Sequence, residues 1–261
     1  MTNADIPLDE LRAVAMDAAY VAGRRALAYF NTRIEVQRKA DNTPVTRADR
    51  ESEELIRQIV SKRYPSHAIL GEEQGATPGD EAYRWIIDPI DGTKTFITGA
   101  PLWGVLIGVE VRGRPSVGVI YLPVLDEMVS AATGMGCTWN GRPAHVSEVD
   151  QLSEATLLTS SIISCQKRSN VFDTLASKCR LVRNWGDCYG YALVATGRAE
   201  IMVDPAMNPW DSAPMLPILE EAGGHFTNWA GEPTIWTKDA VATNGKLFEQ
   251  VRQITSAEPG K

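Results

Sequence analysis

The chain has 261 residues, room for one large domain or two ordinary ones. With 44% hydrophobic and 23% charged residues it can build a core, which excludes disorder, collagen and coiled-coil architectures. A net charge of −7 without any block of five basic residues argues against nucleic acid as a partner, and no apolar run reaches the roughly 18 residues of a membrane span.

The N-terminus carries acids where a secretory signal has a basic region, so a cytoplasmic protein is expected. From Leu8 to Phe30, the residues Leu8, Leu11, Ala15, Ala18, Ala22, Ala26 and Tyr29 recur at steps of three and four, predicting an amphipathic helix. A second helix is predicted from Ala48 to Arg63, with Leu55, Ile56, Ile59 and Val60 inward, Arg50, Glu53, Glu54 and Arg57 outward, and Pro65 closing it. Between Arg84 and Val129, short apolar runs broken by Gly and Pro turns predict a meander of strands.

Asn140-Gly141 is a tight-turn signal. Beyond it the pattern becomes βαβα: strands near 155–160, 180–184 and 199–203, and helices near 172–178, 188–196 and 213–222, the last ending at Gly223. The change divides the chain into 1–140, a helix pair plus antiparallel sheet, and 141–261, an α/β part. No linker separates them, so close packing is expected. Cys137, Cys165, Cys179 and Cys188 are too far apart for a zinc knuckle or redox motif and read as buried free thiols.

The apolar run Trp85-Ile86-Ile87 ends in Asp88-Pro89-Ile90-Asp91-Gly92-Thr93, two carboxylates three residues apart around a proline that cannot donate to a ladder. Either aspartate alone also suits a turn. Two further junctions repeat the pattern. Gly71-Glu72-Glu73 follows Ala68-Ile69-Leu70, and Asp211 follows Trp210 just before a helix that it could equally cap. Acids at three apolar-to-turn junctions suggest a hard-cation site, because Mg²⁺ prefers oxygen ligands and clustered carboxylates repel without one.

These residues, with Phe96 and with Ser212-Ala213 and Glu221-Ala222-Gly223-Gly224 downstream, resemble the inositol monophosphatase family of Mg²⁺-dependent phosphatases in order and spacing, from about Lys39 to Gly224. The resemblance implies an α/β (α+β) fold of alternating helix and sheet layers, a homodimer, and two or three Mg²⁺ per site. It implies Glu72, Asp88 and the Ile90 carbonyl as ligands of one Mg²⁺, and Asp88, Asp91 and Asp211 as ligands of a second. Thr93 with Glu72 would position the attacking water, and the N–H groups of Gly92 and Thr93 would take phosphate oxygens. Asp49 would hydrogen-bond Thr93, although Thr46-Arg47-Ala48-Asp49 also reads as a capping box. Lys39 either lies near the metal site or is simply exposed. Thr95 stands where the family commonly has Asn or Ser.

The segment from Arg183 to Pro205, followed by Asn208-Pro209-Trp210-Asp211, is similar to the histidinol-phosphate phosphatase branch of that family. That likeness implies a small phosphate monoester carrying an ammonium and an imidazole, received by Asp187 and Asp204 with Asn208 as a further polar contact. Asp187 could instead cap the helix that it begins. Trp103, Trp185 and Tyr189 read either as walls for the imidazole or as core. Inositol phosphate or another polyol phosphate is the rival substrate. A catalytically silent member would have a broken ligand set, and Glu72, Asp88, Asp91, Thr93 and Asp211 are all present.

Overall fold

The computed structural model describes residues 6–257. Helix α1 (Leu8–Leu27) buries Leu11, Ala15, Ala18, Ala22 and Ala26, the face its spacing predicts. It ends three residues before Phe30, where the chain passes into turns. A short antiparallel hairpin follows, β1 (Val36–Arg38) with β2 (Pro44–Thr46). Helix α2 (Arg47–Arg63) starts from the predicted capping box: Thr46 Oγ1 accepts from the Ala48 N–H at 3.0 Å, and Asp49 Oδ2 accepts from the Thr46 N–H at 2.7 Å.

Two residues of α2 expected to face outward are inside, with Glu53 0% and Arg57 8% exposed. Arg57 Nε donates to Glu53 Oε1 at 2.8 Å, and its other nitrogens donate to Thr77 Oγ1 at 2.8 Å and the Gly75 carbonyl at 2.5 Å. Glu53 also accepts the backbone N–H groups of Glu73 and Gln74 at 2.7 and 3.0 Å. A buried ion pair is tolerated where its hydrogen-bonding groups find partners, as they do here.

That pair grips the turn between β3 (His67–Gly71) and β4 (Gly75–Thr77). The chain then runs through β5 (Asp80–Asp91), α3 (Thr93–Ile97), β6 (Gly104–Val111), β7 (Arg114–Leu122), β8 (Glu127–Ala132), β9 (Cys137–Trp139) and β10 (Arg142–Ala144). These strands form one sheet in the order β10-β9-β8-β7-β6-β5-β3-β4, antiparallel except where β3 meets β5. The predicted meander is β5 to β8. Asn140 (φ 49°) and Gly141 (φ 76°) make the tight turn between β9 and β10.

The second sheet is built from β11 (Thr156–Leu158), β12 (Leu181–Arg183), β13 (Ile201–Asp204), β14 (Gly224–Thr227) and β15 (Ala240–Asn244), in the order β12-β11-β13-β15-β14. Between these strands lie α4 (Ile162–Arg168), α5 (Val171–Ala176), α6 (Asp187–Ala195), α7 (Pro209–Ser212) and α8 (Met215–Glu221), and α9 (Phe248–Thr255) closes the described chain. The sequence reading leaves α4, β14, β15 and α9 unassigned. Of the four cysteines, three are buried and Cys179 is half-buried; all are free.

The elements stack in alternating layers, as expected. α1 and α2 cover one face of the large sheet around Trp85, Ile107 and Val119. α6 and α8 fill the space between the two sheets in a core that joins Ile86, Leu106 and Ile120 to Leu193, Ile218 and Phe226. α5 and α9 cover the outer face of the small sheet. The α7–α8 junction lies directly on the large sheet because β6 and β7 carry glycine there. A methyl group at Gly118 would sit 2.2 Å from the Pro214 carbonyl oxygen.

Candidate active site

The site forms at the end of β5. Its pairing with β6 is regular to Asp88↔Leu106 and resumes at Asp91↔Gly104, with an irregularity between. In a regular strand, residues three apart point to opposite faces. The break at Pro89-Ile90 re-aims the chain so that Asp88 and Asp91 converge, and Ile90 N–H, freed from the ladder, donates to Asp88 Oδ1 at 3.0 Å. Asp211 arrives from the other half on α7, held against the sheet by the close approach at Gly118. It is the third residue of that helix, not its cap. Asn208 holds the cap position, and its N–H donates to Asp211 Oδ2 at 2.7 Å.

One carboxylate oxygen from each of Asp88, Asp91 and Asp211 lies within 4.8 Å of the others. Burial pushes Asp88 well above the usual carboxylate range, and the charges of Glu72, Asp91 and Asp211 push it further. Asp91 is raised likewise, first by burial and then by Asp187 and Asp211, against a hydrogen bond from the Cys188 N–H. Burial lifts Asp211 to about 7. Carboxylates raised in this way are what a divalent cation stabilises in ionised form, and all the donor atoms of the cluster are the hard oxygens that suit Mg²⁺. The residues present therefore fit a metal site.

Glu72 lines the same cavity, of about 360 Å³, but stands outside the tight trio. Lys39 reaches in from the β1–β2 hairpin and bonds Glu72 Oε1 and Glu73 Oε1, each at 2.7 Å. Burial works against the lysine charge, yet the two carboxylates outweigh it and raise Lys39. Glu73 is lifted to about 7 by burial, with Lys39 opposing. Thr93 Oγ1 lies 3.3 Å from Asp49 Oδ1 and 3.2 Å from the Ile90 carbonyl oxygen. Asp49 is fully buried, shifted upward mainly by that burial, and occupied through Oδ2 by Thr46. Gly92, at φ 82°, precedes α3, whose first N–H groups have no partner within the helix.

Of the residues the resemblance assigns to metal, phosphate, water or substrate polar groups, Glu72, Asp88, Ile90, Asp91, Gly92, Thr93, Asp187, Asp204, Asn208 and Asp211 line this one cavity, and Asp49 lies behind Thr93. Asp187 does not cap α6 with its side chain. It adopts φ 53°, and its Oδ2 accepts from Thr95 Oγ1 at 2.9 Å. Asp187 is raised above its usual range by burial, with Thr95 and the charge of Lys94 opposing. Asp204 is 2% exposed and raised by burial to about 6. It accepts from the Ser160 N–H and hydroxyl at 2.9 Å each and from the Tyr191 hydroxyl at 3.0 Å.

The aromatic-wall reading fails. Trp103 is 0% exposed and packs edge-on against Phe96 at 4.9 Å, and none of Trp103, Trp185 and Tyr189 lines the cavity. Trp185 lies instead 5.9 Å from the guanidinium of Arg183. The wall facing the acids is made of Ser160, Ser161 and Ser164 at the start of α4, which sequence reasoning missed. The signal was present: Thr159-Ser160-Ser161 after Leu157-Leu158 is a strand end running into an N-cap, and Ser161 Oγ does accept from the Ser164 N–H at 3.2 Å.

Comparison with known proteins agrees with this geometry. The model of the inositol monophosphatase family matches residues 7–258. A histidinol-phosphatase of Chlorobaculum parvum is 46% identical over 225 residues, covering 85% of this chain and 87% of its own. An inositol-1-monophosphatase of Synechocystis is 34% identical over 254 residues, covering 94% of this chain and 88% of its own. The crystal structure of the extragenic suppressor protein suhB of Bartonella henselae superposes with a TM-score of 0.89 at 28% identity, covering 96% of this chain and all of that one. Among the described residues, no helix is long and apolar enough to cross a membrane.

Proposed function

This chain belongs to the inositol monophosphatase family of metal-dependent phosphomonoesterases, and from that premise we propose that it hydrolyses L-histidinol phosphate to L-histidinol and phosphate, in histidine synthesis, with Mg²⁺. The observation that carries the substrate assignment is Asp187. A carboxylate stands on the wall of the same cavity as the Asp88, Asp91 and Asp211 cluster, where a substrate ammonium would need a charged partner. Similarity to the Chlorobaculum parvum histidinol-phosphatase supports the same reading.

Glu72, Asp88, the Ile90 carbonyl, Asp91 and Asp211 would hold two or three Mg²⁺, which when bound lower the pKa of water and neutralise phosphoryl oxygens. The chain's own residues supply the rest. Thr93 Oγ1, next to Asp49 Oδ1 at 3.3 Å, fixes the position of the attacking water together with Glu72. The N–H groups of Gly92 and Thr93 hold phosphate oxygens at the start of α3. Asp187, Asp204 and Asn208 belong to the half of the site that meets the organic part of the substrate. The active protein is a homodimer in the cytoplasm on this reading.

The test is phosphate release from histidinol phosphate and from inositol 1-phosphate at equal concentration, with Mg²⁺ and with EDTA. The expected result is a preference for histidinol phosphate of about 100-fold, roughly 2.7 kcal/mol of discrimination, abolished by EDTA. Equal or reversed rates would favour the second reading, an inositol monophosphatase, which the 34% identity to the Synechocystis enzyme supports.

A further inference from the structure

The two candidate partners of a substrate cation differ in how much of their hydrogen-bonding capacity is already spent. An ionised carboxylate has about four acceptor positions. Asp204 is 2% exposed and fills three of them within the protein, with the Ser160 N–H, the Ser160 hydroxyl and the Tyr191 hydroxyl. The Ser160 hydroxyl in turn accepts the Asp187 N–H at 2.8 Å. Asp204 thus ties β11, α6 and β13 together beneath the cavity.

Asp187 is only half-buried, and among the described residues its side chain accepts one hydrogen bond, from Thr95 at 2.9 Å. Its backbone sits at φ 53°, in the left-handed region that few non-glycine residues occupy, aspartate among those that do. Gly92 shows the consequence: a methyl group there would lie 2.8 Å from Asp187 Oδ2. The carboxylate is therefore pressed against the Gly92-Thr93 turn assigned to the phosphate.

We propose that Thr95 is a positioning residue that sets selectivity: its hydroxyl holds Asp187 beside the phosphate turn, and Asp187 rather than Asp204 receives an amino group on the carbon next to the phosphate ester's CH₂. The inference rests on the proposed function and narrows it. In histidinol phosphate, two carbons separate the ester oxygen from the ammonium nitrogen, a reach that suits a carboxylate touching Gly92. The imidazole lies farther along the substrate and is left to the serine-lined wall. Val at position 95 keeps the shape of the residue and removes the donor. Ser keeps the donor.

The experiment compares kcat/KM for histidinol phosphate with that for 3-(imidazol-4-yl)propyl phosphate, which lacks the amine, in wild type, Thr95→Val, Thr95→Ser and Asp204→Asn. In wild type the amine is expected to be worth at least tenfold. Thr95→Val should lower that ratio about tenfold, the size of one hydrogen bond to a charged group, and Thr95→Ser should restore most of it. A folding defect would lower both substrates together and leave the ratio intact, so an unchanged ratio in Thr95→Val overturns the inference. So does a ratio collapsed by Asp204→Asn alone. A wild type that prefers inositol 1-phosphate overturns the proposed function itself. A wild type that prefers histidinol phosphate but gains nothing from the amine overturns only the inference.

Discussion

Arg57→Met tests whether the buried ion pair under the β3–β4 turn supports the site. The substitution removes three donor bonds, to Glu53 at 2.8 Å, Thr77 at 2.8 Å and the Gly75 carbonyl at 2.5 Å. Glu53, 0% exposed, keeps only the N–H groups of Glu73 and Gln74. Breaking one side of a buried pair costs about 3–5 kcal/mol, and the two remaining donors place this case near the lower end. For a chain of this size that is a fall in Tm of about 6–12 °C. Thermal unfolding followed by circular dichroism reads the loss, and titration calorimetry with Mg²⁺ reads its effect on the turn that carries Glu72. Adding Glu53→Gln should recover part of the stability, since the stranded charge is gone and the amide oxygen still accepts one of the two backbone N–H groups, which use different carboxylate oxygens. A fall in Tm of under about 3 °C, or no recovery in the double variant, would refute the assigned cost.

Three further outcomes follow from the same geometry. Asp204, Glu73 and Asp211, raised to about 6, about 7 and about 7, bind protons more tightly folded than unfolded. Their contribution to metal-free stability is therefore full below about pH 4 and is lost as pH rises through about 7. If Mg²⁺ binds the cluster in its ionised form, as proposed, its gain in Tm should be larger at pH 8 than at pH 5; equal gains would contradict the linkage. Asp91→Asn should leave the fold intact but weaken Mg²⁺ binding measured by calorimetry and lower turnover, and unchanged turnover at saturating Mg²⁺ would remove Asp91 from the ligand set. Thr93→Ala should lower kcat more than it raises KM, and a change confined to KM would move Thr93 from positioning water to binding substrate.

The metal-ligand candidates were legible because each carboxylate follows an apolar run and precedes a turn, a contrast visible in one dimension. Their convergence was not, since it depends on the irregular pairing at Pro89-Ile90 and on the bare glycine surface of β6 and β7. Periodicity placed α1 and α2 within a few residues. It misassigned Glu53 and Arg57 because a helical wheel sends charge outward and cannot see a turn about 20 residues away that offers partners to both. The sequence leaves Trp103 open between wall and core for a different reason. Large aromatics have no sequence mark that separates wall from core, and this one fills the space under α3 with Phe30 and Phe96. The serines opening α4 went unread because hydroxyls carry no periodic signal.

Helix α6 explains why the metal and substrate halves of the site cannot vary independently. Its second residue, Cys188, donates its N–H to Asp91, and its first, Asp187, donates its N–H to Ser160 and accepts from Thr95. An N–H to a carboxylate is a charge-assisted bond of short reach, so the helix start must stay within hydrogen-bond distance of Asp91. The left-handed φ at Asp187 turns the chain sharply there, and Gly186 gives the backbone room: a methyl group on it would lie 2.1 Å from Ser160 Cα. Any residue at position 187 thus inherits a fixed place beside Gly92, whatever its chemistry. On the proposed reading, substrate preference is set by what that side chain is and by what holds it, which brings in the Thr95 hydroxyl, 92 residues away in sequence.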